Sequence, residues 1–231
     1  AGGVRTSHSD LATPNGHTAD SSYTIGAGFS ATVTIGAGGR GGESNTVWST
    51  GSNANGPGLN GGNSSFGPIT ATGGGYGGTY PAIAGNPGGS GGGGGQSSAS
   101  GGNGTSNQGN NGGTAGGGSW AGGGGGGGYG GVGEAGSPGN GNAGNNGAEG
   151  GNGGLGLQLP TNYRNPHSRL GSLGPNSEYY WFAGGGGGSC NPASINAICL
   201  ATVLSKNTSL LLGPVCVPIR VIKVLILYAS P

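Results

Sequence analysis

Charge is scarce in this chain: seven Lys and Arg and six Asp and Glu in 231 residues, for a net charge of +1. Phosphate-driven nucleic-acid binding needs clustered basic residues, so nucleic acid is not an expected partner. Aromatic residues make up 6% and all hydrophobic types together 30%, too little for a Rossmann domain or a helical bundle. With Lys206 and Lys223 the only lysines, no phosphate-binding loop ending in Gly-Lys-Ser or Gly-Lys-Thr can be written. Methionine is absent and the chain opens on Ala1, implying that an initiator Met was removed or that the start lies beyond a processing site. Residues 1–30 carry no basic stretch followed by an apolar run. The cysteines are Cys190, Cys199 and Cys216, an odd number with no Cys-x-x-Cys spacing. A Cys190–Cys199 bridge and three unbridged thiols both remain compatible with that spacing.

Glycine fills the space left by these absences, at 66 residues, several times ordinary usage. A chain so poor in side chains stays disordered unless the glycines themselves are built into a structure. Their spacing says how. Gly130, Gly133, Gly136 and Gly139 fall every third residue, and after a slip the beat resumes from Gly141 through Gly144, Gly147, Gly150, Gly153 and Gly156. Gly85, Gly88, Gly91 and Gly94 keep the same period. Three residues per turn is polyproline II geometry, and glycine at every third place leaves one face bare for a neighbouring backbone. Collagen would want proline in the other places, yet Pro138 stands alone in the best-phased stretch. A side-by-side bundle of polyproline II helices, paired backbone to backbone, is therefore expected. The run Gly122–Gly128 suits contact on more than one face, and the breaks at Asn103–Asn111 and Ser137-Pro138 read as reversals.

Composition divides the chain into three. Residues 1–72 read as β-rich, because Phe29–Ile35 alternates apolar and hydroxyl residues, with further strands expected at Thr46–Ser49 and Phe66–Thr72. Residues 73–188 form the glycine-rich polyproline II-like region. Within it residues 157–183 depart from glycine and carry Tyr179-Tyr180-Trp181-Phe182, a packed strand or an apolar patch. Residues 189–231 hold one glycine, Gly213, and end on an apolar run. Pro214, Pro218, Arg220 and Lys223 argue against a membrane-spanning helix there. Ile219–Tyr228 instead suits a buried terminal strand, with Ile219, Val221, Ile222, Val224, Ile226 and Tyr228 as the expected assembly interface. The expected fold is all-β with little or no α-helix: short strands at both ends around a glycine-rich polyproline II bundle.

Chemistry-bearing motifs are few. Gly-x-Gly-x-x-Gly recurs from composition alone. His8, Asp10, His17 and Asp20 gather His and Asp near the start, and a solvated arm explains them better than a metal site or catalytic base. No catalytic residue, cofactor or metal is expected, and the chain does not read as an enzyme. For binding, the candidates are the isolated aromatics Trp48, Tyr76, Tyr80, Trp120 and Tyr129. A flat ring on a rigid glycine scaffold suits a sugar or a protein surface; the competing reading is that each ring plugs a gap in its own domain or in a subunit contact.

Thr32–Gly39, followed by Gly61–Gly75 with its Asn63-Ser64-Ser65-Phe66-Gly67-Pro68-Ile69-Thr70-Ala71-Thr72 core, resembles the glycine-rich domain of bacteriophage tail-fibre and adhesin-type virion proteins. Phe182-Ala183 ahead of Gly184–Gly188 continues the likeness, which covers about residues 23–188. The resemblance implies a structural, oligomeric virion protein of the tail, no enzyme, acting in assembly and host-surface attachment. Its partners would be itself, other virion proteins, and a host carbohydrate or outer-membrane protein. Residues 189–218 depart from the family's pattern. A subunit of an extracellular filament or matrix is the alternative, and an ice-binding bundle the third.

Overall fold

A computed structural model describes residues 1–12, 16–42, 58–139, 148–164, 170–175, 178–189, 197–199 and 216–218. Helix is nearly absent from these: α1, Ser9–Ala12, and a 3-10 turn at Thr161–Tyr163. The strands are short and antiparallel. β1 (Val33–Thr34), β2 (Ser64–Phe66) and β3 (Ile69–Ala71) form one sheet in that order. β4 (Leu157–Gln158) pairs with β5 (Trp181–Phe182), and β6 (Ala197–Cys199) with β7 (Cys216–Pro218), where Cys199 stands opposite Cys216.

Between these strands the chain runs up and down as extended segments tied together by backbone hydrogen bonds that repeat every third residue. Gly75 and Gly78 donate to the carbonyls of Ser90 and Gly93, and Gly133, Gly136 and Gly139 to those of Asn111, Thr114 and Gly117. That period is the polyproline II helix, which has no internal hydrogen bonds and must pair outward.

The pairings lay the helices on a hexagonal lattice. Residues 121–128 are surrounded in turn by 90–96, 109–117, 131–139, 148–156 and 183–189. Every amide from Gly122 to Gly128 donates: Gly122, Gly125 and Gly128 to Ser137, Glu134 and Gly131; Gly123 and Gly126 to Ser189 and Gly186; Gly124 and Gly127 to Gly94 and Gly91. Residues 90–96 are a second centre, ringed by 72–79, 83–89, 99–105, 109–117 and 121–128. In these two helices a Cβ on almost any face would strike a neighbouring backbone, as at Gly92 against the Tyr76 carbonyl or Gly125 against that of Asn152. This is why both are nearly pure glycine. Outer helices need less. In 148–156 only Glu149, Asn152 and Leu155, one in three, are exposed to solvent.

Several expectations change here. The bundle does not begin at residue 73, because Ala1–Val4, 36–42 and 58–63 are members of it: Gly3 donates to Thr72, Gly62 to Ala37 and Gly61 to Gly74. The strand expected over Phe29–Ile35 shrinks to β1, and its residues are exposed rather than half-buried. Ser137-Pro138 is not a reversal. The 131–139 helix runs through it, since Ser137 and Gly139 still donate across and proline's fixed φ suits polyproline II. The reversal expected within Asn103–Asn111 is found at Thr105–Gln108, where Gln108 donates to the Thr105 carbonyl. Thr46–Ser49 and the terminal strand Ile219–Tyr228 lie outside the described residues.

Among the described residues the buried hydrophobic ones are few: Ala12, Ala99, Ala115, Ala121, Tyr129, Ala148 and Leu157. Hydrogen-bonded peptide groups occupy most of the interior.

Candidate binding surface

The alternation of helix direction collects the turns at two ends of the bundle. One end carries the turns 79–83, 96–99 and 117–121, as the bonds Gly95 to Ile83, Ser98 to Gly116 and Gly139 to Gly117 require. Tyr80, ahead of a cis Tyr80-Pro81 bond, is 61% exposed there, and Trp120 is 41% exposed. Ser97, Ser98 and Trp120 have φ of +52°, +62° and +64°. That region disfavours residues bearing a Cβ by about 1–2 kcal/mol each. Asn107, Tyr180 and Ala183 adopt positive φ away from these turns, so such backbone is not confined to this end; what sets this end apart is that a large ring, Trp120, is held out to solvent at such a φ.

Tyr129 sits at the opposite end and is fully buried, which removes it from the candidate contacts. His17 stacks on its ring at 4.4 Å and sets Nε2 2.8 Å from its carbonyl, while Asn110 Nδ2 donates to the same carbonyl at 2.7 Å. The Tyr129 hydroxyl has no partner among the described residues, and burial, then the charge of Asp20, pushes it above its ordinary pKa of 10.0. This ring is a plug. That is the competing reading of the isolated rings, a gap filled within the same domain, and its partner His17 meets it only across the fold.

The grouping of His8, Asp10, His17 and Asp20 comes apart in the same way. Asp20 takes a two-pronged hydrogen bond from Arg5, at 2.7 and 2.9 Å, and is thereby held below its ordinary carboxylate value. His17 serves Tyr129, and His8 packs edge-on to Tyr163 with Nδ1 4.0 Å from Asp10. Among the described residues no three His, Cys, Asp or Glu side chains converge on a point that would hold a metal. The N-terminal arm is a strap across this end, joined also by Arg5 Nη1 to the Thr70 carbonyl and the Thr18 amide to Asn107 Oδ1.

Tyr76, half-buried, lines an open groove of about 560 Å³ with Arg40, Leu59 and the glycines of 36–42, 58–62 and 72–79. A second exposed apolar group lies at the sheet end, where Tyr23, Phe29 and Phe66 pack ring to ring at 5.7–6.4 Å beside Ile25, Val33 and Ile35. Phe29 and Phe66 stand in two of the segments expected as strands, and only the fold brings their rings together with Tyr23. Trp48 and the residues Ile219, Val221, Ile222, Val224, Ile226 and Tyr228 lie outside the described residues. Among the described residues no helix is long and apolar enough to cross a membrane. Comparison of the chain with protein-family models, with curated proteins and with solved structures returned no match.

Proposed function

We propose that the protein is a structural, non-enzymatic component of a phage tail, of the tail-fibre or adhesin type, in which the glycine bundle is a stiff stalk presenting turns to a host surface. The observation that carries this reading is the asymmetry of the bundle. One end is strapped by the N-terminal arm and plugged by Tyr129, whereas the other presents the exposed rings of Tyr80 and Trp120 on its turns. A bundle held by backbone pairing keeps its shape whatever residues its turns carry, so recognition can change without disturbing the stalk. The exposed rings suit the faces of sugars or an outer-membrane protein. The resemblance of Thr32–Gly39 and Gly61–Gly75 to tail-fibre glycine-rich domains points the same way.

Electron microscopy of native material with mass measurement tests it. Closed oligomers, or copies in fixed ratio on a virus particle, are expected. Open-ended fibres built from this chain alone would overturn the reading in favour of a filament or matrix subunit, and thermal hysteresis in the purified protein would favour ice binding. A Trp120→Gly substitution sharpens the test. It removes the ring and relaxes the positive φ, so thermal stability should hold or rise by up to about 1 kcal/mol while attachment to the host surface falls.

A further inference from the structure

β6 and β7 form a sheet of their own, two strands of three residues each, and among the described residues no other strand pairs with either. A two-stranded ladder is marginal in water, and three residues is the short end of the range for a strand. Ordering so short a ladder costs chain entropy that its few hydrogen bonds barely return. A covalent tie between the strands would offset that cost.

The register brings together two residues able to make one. Ala197 lies opposite Pro218, Ile198 opposite Val217, and Cys199 opposite Cys216, in antiparallel pairing. Opposed pairs in such a ladder alternate between those that exchange both N–H···O bonds and those that exchange none. Proline has no N–H, so Ala197–Pro218 is a pair of the second kind. Ile198–Val217 is then the hydrogen-bonded pair, and Cys199–Cys216 is again a pair without mutual bonds. That class brings the two Cα atoms closest, to about 4.5 Å, against about 5.5 Å in the other. A disulfide spans Cα separations of about 4.4–6.8 Å, and directly opposed residues share one face of the ladder.

We propose that Cys199 and Cys216 form a cross-strand disulfide and that Cys190 keeps its thiol. The bond forms by exchange with a small-molecule disulfide such as oxidised glutathione. The thiolate of one cysteine attacks a glutathione sulfur and expels the first glutathione thiolate. The thiolate of the other cysteine then attacks the protein sulfur of the mixed disulfide and expels the second. Two protein thiols are oxidised to one S–S bond, one glutathione disulfide is reduced to two thiols, and the two protons pass to them. The bridge closes residues 200–215 into a ring, which restricts the unfolded chain and favours the paired strands. Chain entropy alone favours a different bridge, because Cys190 and Cys199 would close a shorter loop. Strand register opposes that choice, so the pairing reports on the fold. The proposal is independent of the virion reading.

The test equilibrates the whole chain in a buffer of oxidised and reduced glutathione, quenches it with acid, and labels free thiols with N-ethylmaleimide in denaturant. One label per chain is expected, on Cys190, where the reduced chain takes three. Trypsin cuts after Arg169, Lys206 and Arg220, so without reductant the peptides 170–206 and 207–220 should run as one cross-linked species and separate on reduction. Cys190→Ser should keep that species and lose the label, and Cys216→Ser should lose the species. Three labels after equilibration would overturn the proposal. So would a bridge inside 170–206 with the label on Cys216, a label on Cys199 with Cys190 cross-linked, or a bridge between two chains, seen as a dimer on a non-reducing gel.

Discussion

Gly125 and Gly186 are the same residue type in the same bundle, and their surroundings predict opposite responses to an added methyl. At Gly125 a Cβ runs into the Asn152 carbonyl, so Gly125→Ala must push two helices apart. Overpacking of this kind costs about 1–3 kcal/mol, more than the roughly 0.4–1 kcal/mol gained by restricting the unfolded chain. At Gly186 the space is open and only the gain remains, so Gly186→Ala should leave stability level or slightly raised. Thermal melts of the pair check this. Tyr129 supplies a second contrast. Tyr129→Ala should cost about 3–5 kcal/mol by emptying the plug, whereas Tyr129→Phe removes a buried hydroxyl without a partner and should be neutral or stabilising. The raised pKa also gives a sign. Its contribution to stability is complete below pH 10.0, the ordinary value, and is lost as pH climbs towards the higher folded value. An alkaline loss of stability that Tyr129→Phe abolishes is the expected result.

The N-terminal strap depends on one ion pair and a few backbone bonds. Arg5 and Asp20 are each partly exposed, so Asp20→Asn should lower stability by no more than about 1 kcal/mol. Because pairing lowers the Asp20 pKa, its contribution is present above the ordinary value of 3.8 and disappears as pH falls through the lower, folded value. Acid unfolding followed at the His17 and Tyr129 resonances should show the strap loosening there, with the shift absent in Asp20→Asn. Among the helices, glycine content follows lattice position. The central 90–96 and 121–128 are nearly all glycine, 148–156 spends one residue in three on Glu149, Asn152 and Leu155, and 131–139 exposes Val132, Glu134, Ala135 and Pro138. The three-residue beat was legible in the sequence for that reason. Membership of Ala1–Val4 was not, because a segment of four residues is too short to leave a periodic trace.

For the molecule as a whole, a bundle stabilised by peptide pairing should unfold with an unusual heat capacity. Exposed apolar surface raises ΔCp by about 0.45 cal/mol/K per Å² and exposed polar surface lowers it by about 0.26. Among the described residues the buried hydrophobic ones are five alanines with Tyr129 and Leu157, so polar peptide dominates what unfolding of the bundle exposes. Calorimetry should give a ΔCp well below the usual ~12–15 cal/mol/K per residue. Hydrogen exchange should be slowest at Gly91, Gly92 and Gly94 and at Gly122–Gly128, the paired amides of the two centres, with the outer helices opening first. Equal exchange across the bundle would contradict the lattice.

The sequence by itself determined that this chain has almost no helix and that its middle packs with a period of three, since glycine spacing acts locally through backbone reach and needs no tertiary partner to be read. It also marked Gly122–Gly128 as a helix touched on several sides. Tertiary structure alone decided which helices became centres, that Ser137-Pro138 stays within a helix, and that Tyr129 is a plug while Trp120 faces outward. Identical glycines carry no address: nothing in a run of them says which backbone will lie alongside. That choice is made by pairing between residues far apart in the chain, such as His17 with Tyr129 and Gly123 with Ser189.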